Sequence, residues 1–265
     1  MDAQLLAGDT ALVTGASAGI GRALAEALSA RGVVVGLVAR DRDRLHQLAA
    51  ELPGDPIVLP ADVTDRRSIE RAVDDFAERT GGPDLLFANA GIAHYGPFAD
   101  VDVELAEQMV ATNVSGTIYT VSATLPHMLD RVRGHVVVTS SGAGLRAFPW
   151  GAVYGGTKAF GRGFAEALRH ELSGTGVSVT TVLPGEVETS LHDHQPHAIP
   201  DWRRGDEAVP AADVARLAIE AVEADRREVL VPRAVRMLGL NGLAPRFTDR
   251  LLARVRGRAA APRTD

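Results

Sequence analysis

The chain has 265 residues, 46% of them hydrophobic, no cysteine and a formal net charge of −6. That length and composition fit one large core, the missing thiols exclude disulfides and thiolate chemistry, and the acidic balance argues against a nucleic-acid coat, which needs a concentrated basic face. No run approaches the roughly 18 apolar residues of a membrane span, and the opening MDAQLLAGDT lacks the basic head and long apolar run of a secretory signal. The expectation is a soluble, cytoplasmic protein with one domain over residues 1–265.

Short β-branched runs alternate with longer amphipathic stretches, the pattern of parallel strands joined by crossover helices. A first strand is expected at Ala11 to Val13, then a turn Thr14-Gly15-Ala16-Ser17-Ala18-Gly19-Ile20-Gly21 and a helix over Arg22 to Ala30. Glycines there let backbone approach a ligand closely, and the free N–H groups and dipole of a helix start attract pyrophosphate. A second strand, Val33 to Val38, leads to Ala39-Arg40, and a third, Ile57 to Leu59, leads to Ala61-Asp62-Val63-Thr64. A helix over Ser68 to Arg79 precedes a fourth strand, Leu85 to Ala88, which runs into Asn89-Ala90-Gly91. One long helical pattern covers Glu104 to Met128; a strand at His135 to Thr139 precedes Ser140-Ser141, and a helix over Ala159 to Leu172 follows. Val177 to Val182, Ala212 to Glu223 and Val229 to Val231 complete the series as strand, helix and strand. Ser68 and Asp213 occupy positions suited to starting or strengthening a first turn. Most of these strands are apolar throughout, as expected when helices cover both faces. The fold class is therefore α/β, a doubly wound, Rossmann-like parallel sheet of about seven strands, with its ligand crevice at their carboxyl ends.

The order Thr14-Gly15-x-x-x-Gly19-Ile20-Gly21, Asn89-Ala90-Gly91 and Tyr154-x-x-x-Lys158 resembles the signature of the short-chain dehydrogenase/reductases, over about the first 190 residues. The resemblance implies a nicotinamide cofactor held by Gly15, Ser17, Ala18, Gly19, Ile20 and Gly21, with Asp62 and Val63 at the adenine and Asn89, Ala90 and Gly91 beside them. It implies that Pro184, Gly185, Val187 and Thr189 hold the carboxamide, and that Asn113, Ser141, Tyr154 and Lys158 are the catalytic group, Tyr154 and Lys158 also touching cofactor. It further implies a homodimer or homotetramer. At the end of the second strand an acidic residue would bind a free ribose 2′-OH and a basic one a 2′-phosphate. Ala39-Arg40 therefore favours NADP(H) over NAD(H), with dual use open, although Arg40 also fits an N-terminal helix arginine in a charge-rich surface run, ArgAspArgAspArg.

Tyr154 and Lys158 are four apart and share one helical face. A phenol with a reference pKa near 10 lies about three units, roughly 4 kcal/mol, from neutral-pH proton exchange, and a nearby ammonium favours the phenolate. Lys158 is the chain's only lysine, among 28 lysines and arginines together. Ser141 suits stabilisation of charge developing on a substrate oxygen, with Ser140 its competitor. Asn113 by resemblance holds a water that links Lys158 to solvent, a role compatible with satisfying a helix kink beside Val114-Ser115-Gly116. The implied reaction interconverts a carbonyl and a secondary alcohol; a non-catalytic NADP(H)-sensing regulator or scaffold is the alternative.

Residues 190–212 read as a substrate lid, and the His192, His194 and His197 cluster within it reads as lid rather than metal site. Ile92, His94, Tyr95, Phe98, Leu145, Phe148, Trp150 and Val187 are candidate wall residues for a moderately large, partly apolar small-molecule substrate, or else core or subunit contacts. Residues 233–265 form a basic amphipathic C-terminal extension whose stripe of Phe247, Leu251 and Val255 packs on protein or lies on an anionic membrane.

Overall fold

The computed structural model describes residues 8–189, 191, 208–233, 235, 236 and 239. Its strands are β1 (Thr10–Thr14), β2 (Val34–Ala39), β3 (Ile57–Pro60), β4 (Leu85–Ala88), β5 (Gly134–Thr139), β6 (Val177–Pro184), β7 (Val187–Glu188), β8 (Val209–Pro210) and β9 (Glu228–Val231). Its helices are α1 (Gly19–Ser29), α2 (Arg42–Glu51), α3 (Arg66–Thr80), α4 (Val103–Val110), α5 (Gly116–Asp130), α6 (Gly142–Leu145), α7 (Ala152–Glu171) and α8 (Ala211–Glu223). A wide π turn, Ala111–Ser115, joins α4 to α5.

Seven strands form one sheet in the order β3-β2-β1-β4-β5-β6-β9, every neighbouring pair parallel. The chain starts mid-sheet, winds outward to β3, then returns to β4 and winds the other way. Strand order thus reverses between β1 and β4, which opens a crevice at their carboxyl ends. This is the doubly wound architecture expected from the alternating pattern.

Successive residues along each strand feed opposite layers. Ala11 and Val13 of β1 join Leu24, Leu28, Leu45, Val214 and Ile219 beneath α1, α2 and α8. Leu12, between them, joins Ile69, Phe76, Val121, Met128 and Leu168 beneath α3, α5 and α7. Gly36 of β2 is small because Phe76 lies directly over it; a Cβ there would sit 2.7 Å from the ring. Full burial of each such side chain contributes about 1.5–3 kcal/mol.

Several boundaries differ from those expected. Helix α2 was given no bounds beforehand, because only Leu45 and Leu48 anchor it; Asp41 starts it by accepting from the Arg44 amide at 3.0 Å. The single helix expected over Glu104 to Met128 is interrupted by the π turn, where the Asn113 amide pairs with the backbone of Ile92. Asp65, not Ser68, caps α3, and the Ser68 hydroxyl instead accepts from the Asp62 amide at 3.3 Å. Asp213 lies in the first turn of α8 after a Pro210 cap, where a negative charge complements the helix dipole. Of the segment 190–212, residues 209–210 are β8, paired with β7, and 211–212 begin α8, whereas 192–207, including the three histidines, lie outside the described residues. The Phe247, Leu251 and Val255 stripe also lies outside them.

Candidate active site

The turn after β1 is shaped by contacts that only glycine permits. Gly15 has φ +68°, and a Cβ on Gly21 would lie 2.1 Å from the Gly15 carbonyl oxygen and 2.8 Å from Asn89 Nδ2. Gly19 opens α1 against Thr189, while Ser17 and Ala18 precede it and Ile20 packs partly against the core. Ala18 is the N-cap and brings no side-chain cap, so the first amides of α1 are left for another acceptor. Glycine-lined backbone and uncapped amides together fit a dinucleotide pyrophosphate.

Thr14 holds this turn to the next strand. Its hydroxyl donates to the Phe87 carbonyl at 3.3 Å and accepts from the Asn89 and Ala90 amides at 3.0 and 3.1 Å. Asn89 Nδ2 donates to the Thr14 carbonyl at 3.1 Å. The reversal point of the sheet is thereby cross-tied by residues at the ends of β1 and β4. Thr14 stood inside the glycine motif, but nothing in the pattern marked its hydroxyl as a link.

Arg40 follows β2, is exposed, and has no hydrogen bond or ion pair among the described residues. Asp62 follows β3; its Oδ1 accepts from the amide and hydroxyl of Thr64 at 2.9 and 2.8 Å, and Val63 packs against Gly116. On the far side Gly185, after β6, donates to the Val231 carbonyl at 2.7 Å. The Val187 side chain belongs to the core cluster that also contains residues of α1 and α8.

Asn113 and Lys158 converge on Gly91, where a Cβ would lie 3.2 Å from both Asn113 Oδ1 and Lys158 Nζ. Tyr154 and Lys158 lie in the first two turns of α7, which starts at Ala152, well before the expected Ala159. Lys158 Nζ lies 5.8 Å from the centre of the Tyr154 ring and donates to the Thr139 carbonyl at 3.1 Å. Lys158 is 8% exposed, and burial pushes its pKa down to about 8. Ser141 is buried, caps α6 through the Ala143 amide at 3.1 Å, and donates to the Pro184 carbonyl at 3.4 Å. Ser140 donates instead to the Lys158 carbonyl at 2.7 Å, so its hydroxyl is committed to α7.

Asn113 is buried in the π turn, its Oδ1 accepting from the Ile92 amide at 2.8 Å and its Nδ2 donating to the Ile92 carbonyl at 2.9 Å. Tyr154 itself packs in a small cluster with Ala93, Tyr95, Met109 and Ala143, flanked by Ile92 and Phe148. The Tyr95 and Tyr154 rings meet edge-on at 5.4 Å, and Tyr95 tilts against Phe148 at 5.9 Å. The Trp150 carbonyl, on a residue with φ +72°, accepts from Gly96 at 2.9 Å and ties the two wall loops together. Phe98, expected in the wall, is 68% exposed.

No group of three or more metal-ligating side chains occurs among the described residues, and no described helix is long and apolar enough to cross a membrane.

Comparison with known proteins bears on the family and the fold. Residues 9–199 match the family model for short chain dehydrogenases. A glycine betaine reductase of Emericella nidulans is 40% identical over 189 residues, which cover 70% of this chain but only 15% of the reductase. An uncharacterized oxidoreductase of Staphylococcus epidermidis is 36% identical over 181 residues, 68% of this chain and 79% of the relative. Among solved structures, a short chain dehydrogenase/reductase from Burkholderia phymatum in complex with NAD superposes with a TM-score of 0.84 at 26% identity, covering 92% of this chain and 97% of that one. The wound sheet, the glycine-lined turn and these matches place the chain in the short-chain dehydrogenase family of oxidoreductases.

Proposed function

We propose that the protein interconverts a carbonyl compound and a secondary alcohol with NADP(H), and that Tyr154 carries the proton. The observation that carries the proposal is the Lys158 ammonium, the chain's only lysine, buried and held on the Thr139 carbonyl beside the Tyr154 ring. When bound, the nicotinamide supplies or accepts the hydride. Gly15, Ser17, Ala18, Gly19, Ile20 and Gly21 would hold its pyrophosphate, Arg40 its 2′-phosphate, and Asp62, Val63, Asn89, Ala90 and Gly91 the adenosine side. Pro184, Gly185, Val187 and Thr189 would hold the carboxamide.

Tyr154 gives its phenolic proton to the substrate oxygen in reduction and takes it back in oxidation. Lys158 favours the phenolate through its charge. Ser141 donates to the substrate oxygen as charge grows there, which requires its hydroxyl to leave the long contact to Pro184. Asn113 shapes the route by which the proton is replaced. The cluster of Tyr95, Phe148, Met109 and Ile92 beside Tyr154 favours a partly apolar substrate. Exposed Val103, Val110 and Ile118 on α4 and α5 are consistent with a homodimer or homotetramer.

A panel of ketones, aldehydes and secondary alcohols, assayed with NADPH or NADP, tests the proposal. Turnover is expected with part of the panel, and Tyr154→Phe is expected to remove it while NADPH binding stays within about threefold, because the phenol acts on the reacting oxygen. A variant that keeps more than about one tenth of the rate, given the usual hundredfold or larger worth of general acid catalysis, overturns the role of Tyr154.

A further inference from the structure

Thr157 stands between Tyr154 and Lys158 and takes no part in the chemistry above. Its side chain is buried, and its hydroxyl donates to the Tyr154 carbonyl at 2.8 Å while accepting from Asn113 Nδ2 at 3.0 Å. The first bond stays within α7 and is a common way for a helical threonine to satisfy itself. The second is different in kind, because it joins two elements 44 positions apart in sequence.

Nδ2 of Asn113 has two hydrogens, and Thr157 and Ile92 take one each. Oδ1 takes the Ile92 amide. Both Nδ2 hydrogens are therefore engaged, and the side chain joins three segments: the loop after β4, the π turn and the second turn of α7. Thr117 adds a bond to the Asn113 carbonyl at 2.8 Å, so the π turn is held from its own helix as well. Of the groups that Asn113 contacts on other elements, only Thr157 belongs to the helix that carries Tyr154 and Lys158.

We infer that Thr157 is a positioning residue: its hydroxyl locks the Asn113 turn onto α7 and thereby sets where the Tyr154 phenol stands relative to Lys158 and the substrate oxygen. The inference rests on the reading of Tyr154 as the proton carrier. A valine at 157 keeps the shape and removes both the donor and the acceptor, leaving one buried Asn113 hydrogen without a partner. Small misplacements of a reacting group are sufficient to slow chemistry while ground-state binding is retained.

The test compares Thr157→Val, Thr157→Ala and Thr157→Ser with wild type and Tyr154→Phe on one alcohol substrate from the panel. Thr157→Val and Thr157→Ala are expected to lower kcat about tenfold or more, with KM for alcohol and NADP within about twofold. The midpoint of the rise of kcat with pH is expected to move upward in both, and Thr157→Ser is expected to restore rate and midpoint. Wild-type kcat and midpoint in Thr157→Val overturn the inference; so does a serine variant no better than valine, or a loss of NADP binding that parallels the loss of rate. If neither Thr157→Val nor Thr157→Ala folds, Thr157 serves stability and the inference also falls. An active Tyr154→Phe would instead overturn the underlying reading, whereas an inactive one beside an unaltered Thr157→Val removes the present inference alone.

Discussion

Lys158 Nζ sits 5.8 Å from the centre of the Tyr154 ring and 3.1 Å from the Thr139 carbonyl, one helical turn on from Tyr154 in a buried setting. An ammonium placed there has lost most of its water, which is why its pKa falls from 10.5 to about 8. The residue read as most valuable to the reaction is thus held at a cost to the fold.

That cost has a defined pH window. With the folded pKa below the unfolded one, the unfolded chain binds more protons between about pH 8 and 10.5, so stability rises with pH across that interval. Below pH 8 the buried charge costs up to about 3 kcal/mol. Lys158→Met is expected to raise Tm at pH 7, to change it little near pH 10.5, and to remove turnover. Thermal melts at the two pH values check this, and a lower Tm at pH 7 contradicts it.

His135 gives the acid-side counterpart. It is buried in β5, and desolvation pushes its pKa down to about 4, with Arg169 adding to the effect and Asp225 opposing it. Because the Thr180 hydroxyl donates to the Arg226 carbonyl at 2.6 Å, the His135 Nε2 at 2.8 Å from that oxygen carries the hydrogen. The unfolded chain binds the extra proton first, so stability is lost as pH falls from about 6.5 towards 4, by up to about 3 kcal/mol. His135→Gln is expected to flatten that limb of a Tm-against-pH curve; an unchanged slope would show that other groups set it.

Arg40 is exposed and has no partner among the described residues, as suits a side chain kept for an incoming phosphate. Arg40→Ala is expected to lower kcat/KM for NADPH by about tenfold to a hundredfold, the worth of a charge-assisted bidentate contact, with NADH little altered. Added salt should narrow the difference. Steady-state rates with both cofactors decide the matter, and an equal loss with each removes Arg40 from 2′-phosphate recognition.

The strands were readable because their apolar runs are dictated by burial on both faces, and Leu85–Ala88 falls where the pattern puts it. The extent of helix α2 was not, because two leucines in a charged segment give too weak a stripe. At the break between α4 and α5 a helix kink beside Asn113 was legible, but its form as a π turn was not. A π turn costs no hydrophobic residue, and the contact of Asn113 with Ile92 that accompanies it joins residues 21 positions apart. The convergence of Gly91, Asn113 and Lys158 follows from winding order, which spacing alone does not carry. Thr14 and Thr157 lay inside recognised motifs, but a hydroxyl's role depends on which carbonyl stands opposite, and that is decided only by packing.

A chain whose other basic long side chains are all arginine offers amine-directed reagents one lysine, and that lysine lies in the crevice. Its lowered pKa leaves a sizeable neutral, nucleophilic fraction near pH 8, while its burial shields it from bulk reagent. Side-chain acylation of the folded protein therefore becomes a clock: the rate at which that single nitrogen is modified reports how often the crevice opens, and how far an occupant keeps it shut.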